Sequence, residues 1–342
     1  MDQSGNIALE KGVLPLFMTL WVPYGYFCFG KEVSLAKKIS LFAVKWLAVF
    51  FCVSVIAFLI PRAIPKNPVE ALLEAHQMDT SEENIAKIEK AWGLDKPIPV
   101  QYFIWITNFI KGDWGKSLIT KQDIKAAFLS KLPYSLMIGL GGLIISTILA
   151  FFLGFGAAIR NKGTCDIITR VLALISTSIP SFIVSVLIVY FIGVRLGLVK
   201  FFTGDGFWSM FFAILTMTLY STGGIARVVK AHFQEQMSEP YVTFAISRGF
   251  SKRYVLFHHA RKPVLYGLIS VVISKLAYVL GGSTILEFAF GIPGISYFLV
   301  KSMQATDYYV LQSYIMVVLI WMFLSHLVCN IILSRLEVRG KT

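Results

Sequence analysis

Few residues in this chain are of a type and spacing that could do chemistry. Gly25 to Lys31 spells G-x-x-x-x-G-K, the outline of a phosphate-binding loop. Such a loop needs a Ser or Thr hydroxyl next, to hold magnesium, and a strand before it. Glu32 follows instead and the loop interior is Tyr-Phe-Cys-Phe, so no nucleotide site is expected. His258 and His259 are adjacent. On a helix they would point about 100° apart, and no carboxylate or thiol lies near them in sequence, so no metal site is expected. His76, His232 and His326 are isolated. Cys28, Cys52, Cys165 and Cys329 are scattered without a CxxC pair, which indicates neither a disulfide framework nor zinc. H-E-x-x-H, G-x-S-x-G and paired-carboxylate signatures are missing. The chain is expected to hold no catalytic residue and no cofactor or metal of its own.

What remains is polar residues set within or beside apolar runs. Ser176, Thr177, Ser178 and Ser181 surround Pro180; they suit either helix packing and backbone bonding near the proline or a polar lining for a path. Glu287 precedes a rigid Pro293-Gly294 turn, and reads as a solvated helix end or part of a gate. Lys275 lies eleven residues from Val264 and eleven from Leu286. That places it about 16 Å from either end of a straight span, where a charge costs about 2.5–3.5 kcal/mol. Ser274 and Tyr278 give it a polar face, so it fits a solute pathway or an ion pair with a partner subunit.

These groups are carried by an apolar scaffold. Of 342 residues, 56% are hydrophobic and 15% charged, with a mean hydropathy of +0.70; soluble domains are about 25% charged. The composition is that of an integral membrane protein, and the net charge of +13 is first read as basic loops on the cytoplasmic side rather than nucleic-acid binding. No cleavable signal pattern opens the chain, so the first span is expected to stay in place.

The apolar runs give an all-α polytopic protein with about six core spans. Residues 1–38 form an N-terminal extension, whose 12–30 stretch is an interfacial or broken helix or an extra span. The first span covers 39–61. A polar segment, 62–132, is expected to form a small extracellular helical cap: Thr80 and Glu83 make a capping box, Ile85, Ile88 and Trp92 an apolar face, and a second helix after Pro99 turns Val100, Phe103 and Ile104 inward. Residues 133–335 hold the other five spans, the third interrupted at Pro180, the fifth running Val264 to Leu286 and the sixth from Tyr308; a tail, 336–342, follows. Basic residues crowd the N-terminal side, the turn after 160, the 230–262 loop and the C-terminus, which puts those on the cytoplasmic face.

The longest of these cytoplasmic loops, 231–263, contains SEPYVTFAISRGFSKRYVLFHHARKP from Ser238. Ser238 can cap a short helix that Glu239 and Pro240 open. Tyr241, Phe244, Ala245 and Arg248 then share a face, and Gly249 can take the left-handed conformation that stops it. Ser251, after Phe250, can cap a second short helix. Two short helices meeting at a glycine can sit in a cleft of another protein and carry force.

Glu239, Ala245 and Gly249 in such a loop resemble the coupling loop of bacterial ABC-importer permeases. Five further stretches narrow the resemblance to the oligopeptide/dipeptide/nickel branch: IPKNPVEALL (64–73), WGLDKPIPVQYFIWITNFIKGDWGKSL (92–118), SIPSF (178–182), LEFAFGIPGIS (286–296) and ATDYYVLQ (305–312). They stand in family order; Lys66 replaces the branch's usual glycine, and Pro263 and Gly267 depart from its pattern after the loop. The resemblance implies a multi-pass cell-membrane permease subunit for oligopeptides or dipeptides, or for nickel or a metal chelate. It implies a homologous second permease, two ABC ATPases that bind the ATP and magnesium, an extracellular solute-binding lipoprotein, surrounding lipid, and no nucleic acid. Glu239, Tyr241, Ala245, Gly249, Phe250 and Ser251 would meet the ATPase. Ser178, Pro180, Ser181, Lys275, Tyr278, Glu287, Pro293, Gly294 and Asp307 are candidates for gate or pathway. An intramembrane enzyme would need a catalytic dyad within the spans, and a passive channel would have no use for the coupling loop.

Overall fold

The computed structural model describes residues 35–63, 69–70, 73, 79–118, 120–202, 206–305 and 307–337. The phosphate-loop-like stretch at 25–31, the 12–30 stretch and most of 64–73 lie outside these residues. Two compact units divide the chain, Met1–Val49 and Phe50–Thr342. Among the described residues the first unit consists of the opening turns of α1 (Leu35–Arg62).

The rest of the chain is helical, as its apolar runs require. α2 (Glu82–Trp92) and α3 (Ile98–Lys111) precede α4 (Ile124–Ile159). α5 (Thr164–Ser178) and α6 (Ser181–Ile188, continued as a wide turn to Arg195) are followed by α7 (Phe207–Met237). The short α8 (Pro240–Ser247) and α9 (Lys252–Val255) lead through a second wide turn, Leu256–Ala260, into α10 (Arg261–Leu276). α11 (Val279–Gly282), α12 (Thr284–Phe290), α13 (Ile295–Gln304) and α14 (Tyr308–Glu337) complete the order. Among the described residues four helices are long and apolar enough to cross a membrane, in α1, α4, α7 and α14. Two bent pairs bring the number to as many as six: α5 with α6, bent by 100°, and α9–α10 with α11–α12, bent by 64°.

Packing centres on α4 and α7. Small residues let their backbones meet, since lipid supplies no hydrophobic drive between helices. A Cβ on Gly154 would lie 2.7 Å from the Ala226 carbonyl oxygen, and one on Gly223 would collide with the α5 backbone at Leu172–Ala173. Ile225, Ala226, Val229 and Phe233 are fully buried in the resulting core.

Several local expectations are corrected. α4 begins at Ile124, nine residues before Pro133, because Asp123 caps it by accepting from Ala126 N at 2.8 Å. Pro133 falls inside the helix. The Thr80/Glu83 box does not form: the cap position is Ser81, whose own side chain makes no cap bond. Asp79 instead takes Ser81 N (3.1 Å), Ser81 Oγ (2.9 Å) and Asn84 Nδ2 (3.1 Å). A carboxylate two residues ahead is the stronger acceptor. Ile85, Ile88 and Trp92 are half-buried, and Gly93 at φ +68° ends the helix. On α3 the inward face is Trp105 and Phe109, while Val100, Phe103 and Ile104 are exposed. An aromatic chain decides this: Phe58 meets Tyr102 and Trp105, Phe109 stacks on Trp114 at 5.0 Å, and Trp114 meets Phe128 of α4. Trp105 and Phe109 are one helical turn apart and both reach this chain, whereas Phe103, two residues from Trp105, points to the opposite side at 66% exposure.

Candidate functional site

The loop between α7 and α10 folds as two short helices around Gly249. α7 runs on to Met237, so Ser238 is still near-helical (φ −84°, ψ −7°) and Glu239, with extended backbone, occupies the cap position that Ser238 was expected to hold. Pro240 opens α8, where its missing N–H costs nothing. Gly249 has φ +89°, a region β-branched residues avoid. Ser251 Oγ accepts from Tyr254 N at 3.3 Å and starts α9. Val242, Val255, Leu256 and Ala260 are fully buried and fix the loop on the bundle. Lys252 Nζ donates to Ile159 O at 3.3 Å, and Phe257 meets Phe155 of α4. Ala245 is half-buried, whereas Tyr241, Phe244, Phe250 and Tyr254 point outward at 41–64% exposure. Phe250 stacks on Tyr254, and Tyr254 on His258. Tyr241 donates to Gln236 Oε1 at 2.6 Å; partial burial, and then the Glu239 carboxylate, raise its hydroxyl above the ordinary value. An exposed aromatic row on a rigid base is a contact surface rather than a reaction centre.

An acidic residue that sequence reasoning passed over secures the base of this region. Asp166, in the first turn of α5, is 1% exposed. It accepts from Lys162 N (2.9 Å), Arg170 Nη2 (2.7 Å) and Lys230 Nζ of α7 (2.8 Å). The Arg at i+4 was the legible signal; Lys230, 64 residues on, was not.

The interrupted spans bring a second set of residues together. Pro180 has no N–H to continue α5, and the freed Ile179 carbonyl accepts from Tyr220 of α7 at 2.7 Å. Ser176 and Thr177 return their hydroxyls to Ala173 O, while Ser178 and Pro180 are exposed at the bend and Ser181 opens α6. α6 packs on α12. Between them, and bounded by α13, lies an open groove of about 750 Å³. Phe182, Val186, Phe202, Phe288, Tyr297 and Lys301 are among its walls. Discontinuous helices inside a membrane are tolerated where they are buried in protein or line a cavity.

Glu287 is not a solvated helix end. It is fully buried on α12, accepting from Ser283 Oγ (2.7 Å), Ser296 N (2.8 Å) and Tyr297 N (2.9 Å). Ile295 N donates to Ser135 Oγ of α4 at 3.0 Å. Together these satisfy the first three amides of α13, which no intrahelical acceptor reaches. Gly294 allows the approach, since a Cβ there would strike the Glu287 carboxylate. Glu287, Pro293 and Gly294 therefore build the turn that sets α12 against α13. Asp307 stands apart, at 2% exposure: it accepts from Ser117 Oγ (2.6 Å) and Leu118 N (3.1 Å), tying the segment before α4 to the start of α14.

Lys275 is not at the middle of a straight span. It is half-buried in the last turn of α10, beside a break at Ala277–Tyr278. Trp321 Nε1 takes the Leu276 carbonyl at 2.9 Å, so α14 supplies the partner that a continuous helix would have supplied. Among the described residues no carboxylate pairs with Lys275, and no cluster of three His, Cys, Asp or Glu side chains could hold a metal ion.

Residues 150–339 match the family described as binding-protein-dependent transport system inner membrane component, and residues 40–138 match that system's N-terminal membrane component. The chain belongs to this family. It is a multi-pass inner-membrane permease of the ABC-importer class, a subunit that is not itself the ATPase. It is similar to the nickel import system permease protein NikB of Staphylococcus aureus strain MRSA252, at 25% identity over 88% of this chain and 90% of the relative. The NikB protein of strain USA300 is 24% identical over 85% of this chain and 88% of its own length.

Proposed function

We propose that this permease forms half of the translocation pathway of an ATP-driven importer for oligopeptides or dipeptides. A homologous second permease completes the pathway, two ABC ATPases hold ATP and magnesium, and an extracellular lipoprotein delivers the solute. The 239–251 loop faces the cytoplasm and meets an ATPase through Tyr241, Phe244, Phe250 and Tyr254, with the segment between α1 and α4 on the outside. Closure of the ATPases moves the loop and, through it, the bends at Pro180 and Ala277–Tyr278.

The observation that carries the peptide reading is the chemistry of the groove. Among the described residues its walls are aromatic and aliphatic with the Thr284 hydroxyl and one cation, Lys301, and include no thiol, imidazole or carboxylate. Such a lining suits apolar side chains and a carboxylate terminus, and offers a bare divalent cation no ligand. A second reading, import of a nickel chelate, is favoured by the names of the relatives; an organic chelate would show the groove a carbon surface and a carboxylate. Reconstituted complex with its binding protein separates the two by uptake of labelled dipeptide against labelled nickel chelate. Uptake of the chelate alone would displace the peptide reading.

A further inference from the structure

A second cavity, of about 330 Å³, lies in the segment between the first two spans and shares no lining residue with the groove. Three indoles, Trp92, Trp105 and Trp114, form its walls. Arg62, Lys90 and Lys96 bring three cations to it and Asp113 one carboxylate. Trp105 is 7% exposed, so the indole is held fast where it meets the cavity.

The cavity is built before anything enters it. Gln101 Nε2 donates to Leu94 O (2.9 Å) and Lys96 O (2.7 Å), which fixes the turn carrying Lys96. Gln101 Oε1 accepts from Arg62 Nη2 at 2.9 Å, and Arg62 Nη1 donates to Phe58 O at 2.9 Å, so the guanidinium is held in place. Gly93 supplies the left-handed step between α2 and that turn. The opposite wall is fixed by the stack of Trp114 on Phe109.

We propose that this cavity binds the C-terminal end of a short apolar peptide. The cations meet the carboxylate, and the indoles cover an apolar side chain. Asp113 suits the ammonium end of a dipeptide and works against a phosphate headgroup. The volume is at the small end of ligand pockets, which run to about 300–1,000 Å³. The inference rests on the peptide reading above and adds to it a solute site outside the groove between α6 and α12.

The test uses the complex of this chain with its partner permease and ATPases in lipid nanodiscs, without the binding protein. Labelled leucyl-leucine should bind saturably, and leucyl-leucinamide should not compete. Lys90→Gln combined with Lys96→Gln should lower affinity roughly tenfold, as for loss of a hydrogen bond to a charged group, while thermal stability stays at the wild-type value. Absence of binding, or variants that bind as wild type does, would overturn the proposal. Competition by short-chain phosphatidylglycerol in place of the dipeptide would also overturn it, by assigning the cavity to a lipid headgroup. Leucyl-leucine uptake by the full transporter is read separately. Uptake together with unaffected cavity variants removes this site and leaves the functional reading standing, whereas no peptide uptake removes that reading itself.

Discussion

Replacing Glu287 should separate its shape from its charge. In the structure one carboxylate oxygen accepts from two backbone amides, Ser296 N and Tyr297 N, and the other from the Ser283 hydroxyl; Ser283, Glu287 and Ser296 are fully buried and Tyr297 half-buried. Glu287→Ala leaves three donors unmet. Each costs about 1–3 kcal/mol; the hydroxyl can rotate to the Leu280 carbonyl, already 3.2 Å away. The two amides cannot turn, so a net loss of about 3–5 kcal/mol is expected. Glu287→Gln can keep its amide oxygen on the two backbone donors and turn its NH₂ toward Ser283 Oγ, which then accepts. That exchange should cost about 1 kcal/mol, the difference between charged and neutral acceptors. Thermal unfolding of the purified permease complex in detergent measures both, with uptake as a second readout. The reasoning fails if Ala and Gln destabilise equally, or if Ala leaves the transition temperature unchanged. Gln retaining stability but losing all uptake would instead assign the charge itself a role in transport.

Gly249→Val forces a β-branched residue to φ +89°, at about 1–3 kcal/mol of local strain; solute-stimulated ATP hydrolysis of the reconstituted complex should fall, and normal stimulation would contradict docking of this loop. Cysteine in place of the exposed Glu82 should react with an impermeant thiol reagent on intact cells, whereas labelling only after permeabilisation would reverse the topology. Lys275→Met should leave assembly intact and depress uptake. A wild-type rate would exclude Lys275 from the pathway, and loss of assembly would assign it to the subunit interface.

Features written at a single position were legible in the sequence. Pro180 lacks an N–H, so a break there needs no tertiary information, and Gly249 and Ser251 announce a stop and a start by their own backbone and hydroxyl chemistry. Features that depend on a distant partner were not. The Ala277–Tyr278 break has neither proline nor glycine at its centre, and the donor that satisfies the Leu276 carbonyl beside it is Trp321 Nε1, 45 residues away. Glu287 reads as polar at a helix end, and only the fold shows that the amides it serves belong to the next helix. The inward face of α3 was misassigned because Val100, Phe103 and Ile104 share a helical face by spacing, and so do Tyr102, Trp105 and Phe109, whose ring contacts across the fold decide between the two.

The meeting of α7 with α4 at Gly154 and with α5 at Gly223 has a mechanical consequence. At Gly223 backbone touches backbone, and at Gly154 the Ala226 carbonyl and the stiff, β-branched Val229 side chain both bear on the glycine. A displacement of α7 is therefore passed to both neighbours without slack, and the three helices translate as one strut. Compliance is left to the two bends, where the Tyr220 hydroxyl and the Trp321 indole each fasten a single carbonyl. Force entering at one end of such a strut is spent in opening or closing its hinges rather than in deforming its shaft.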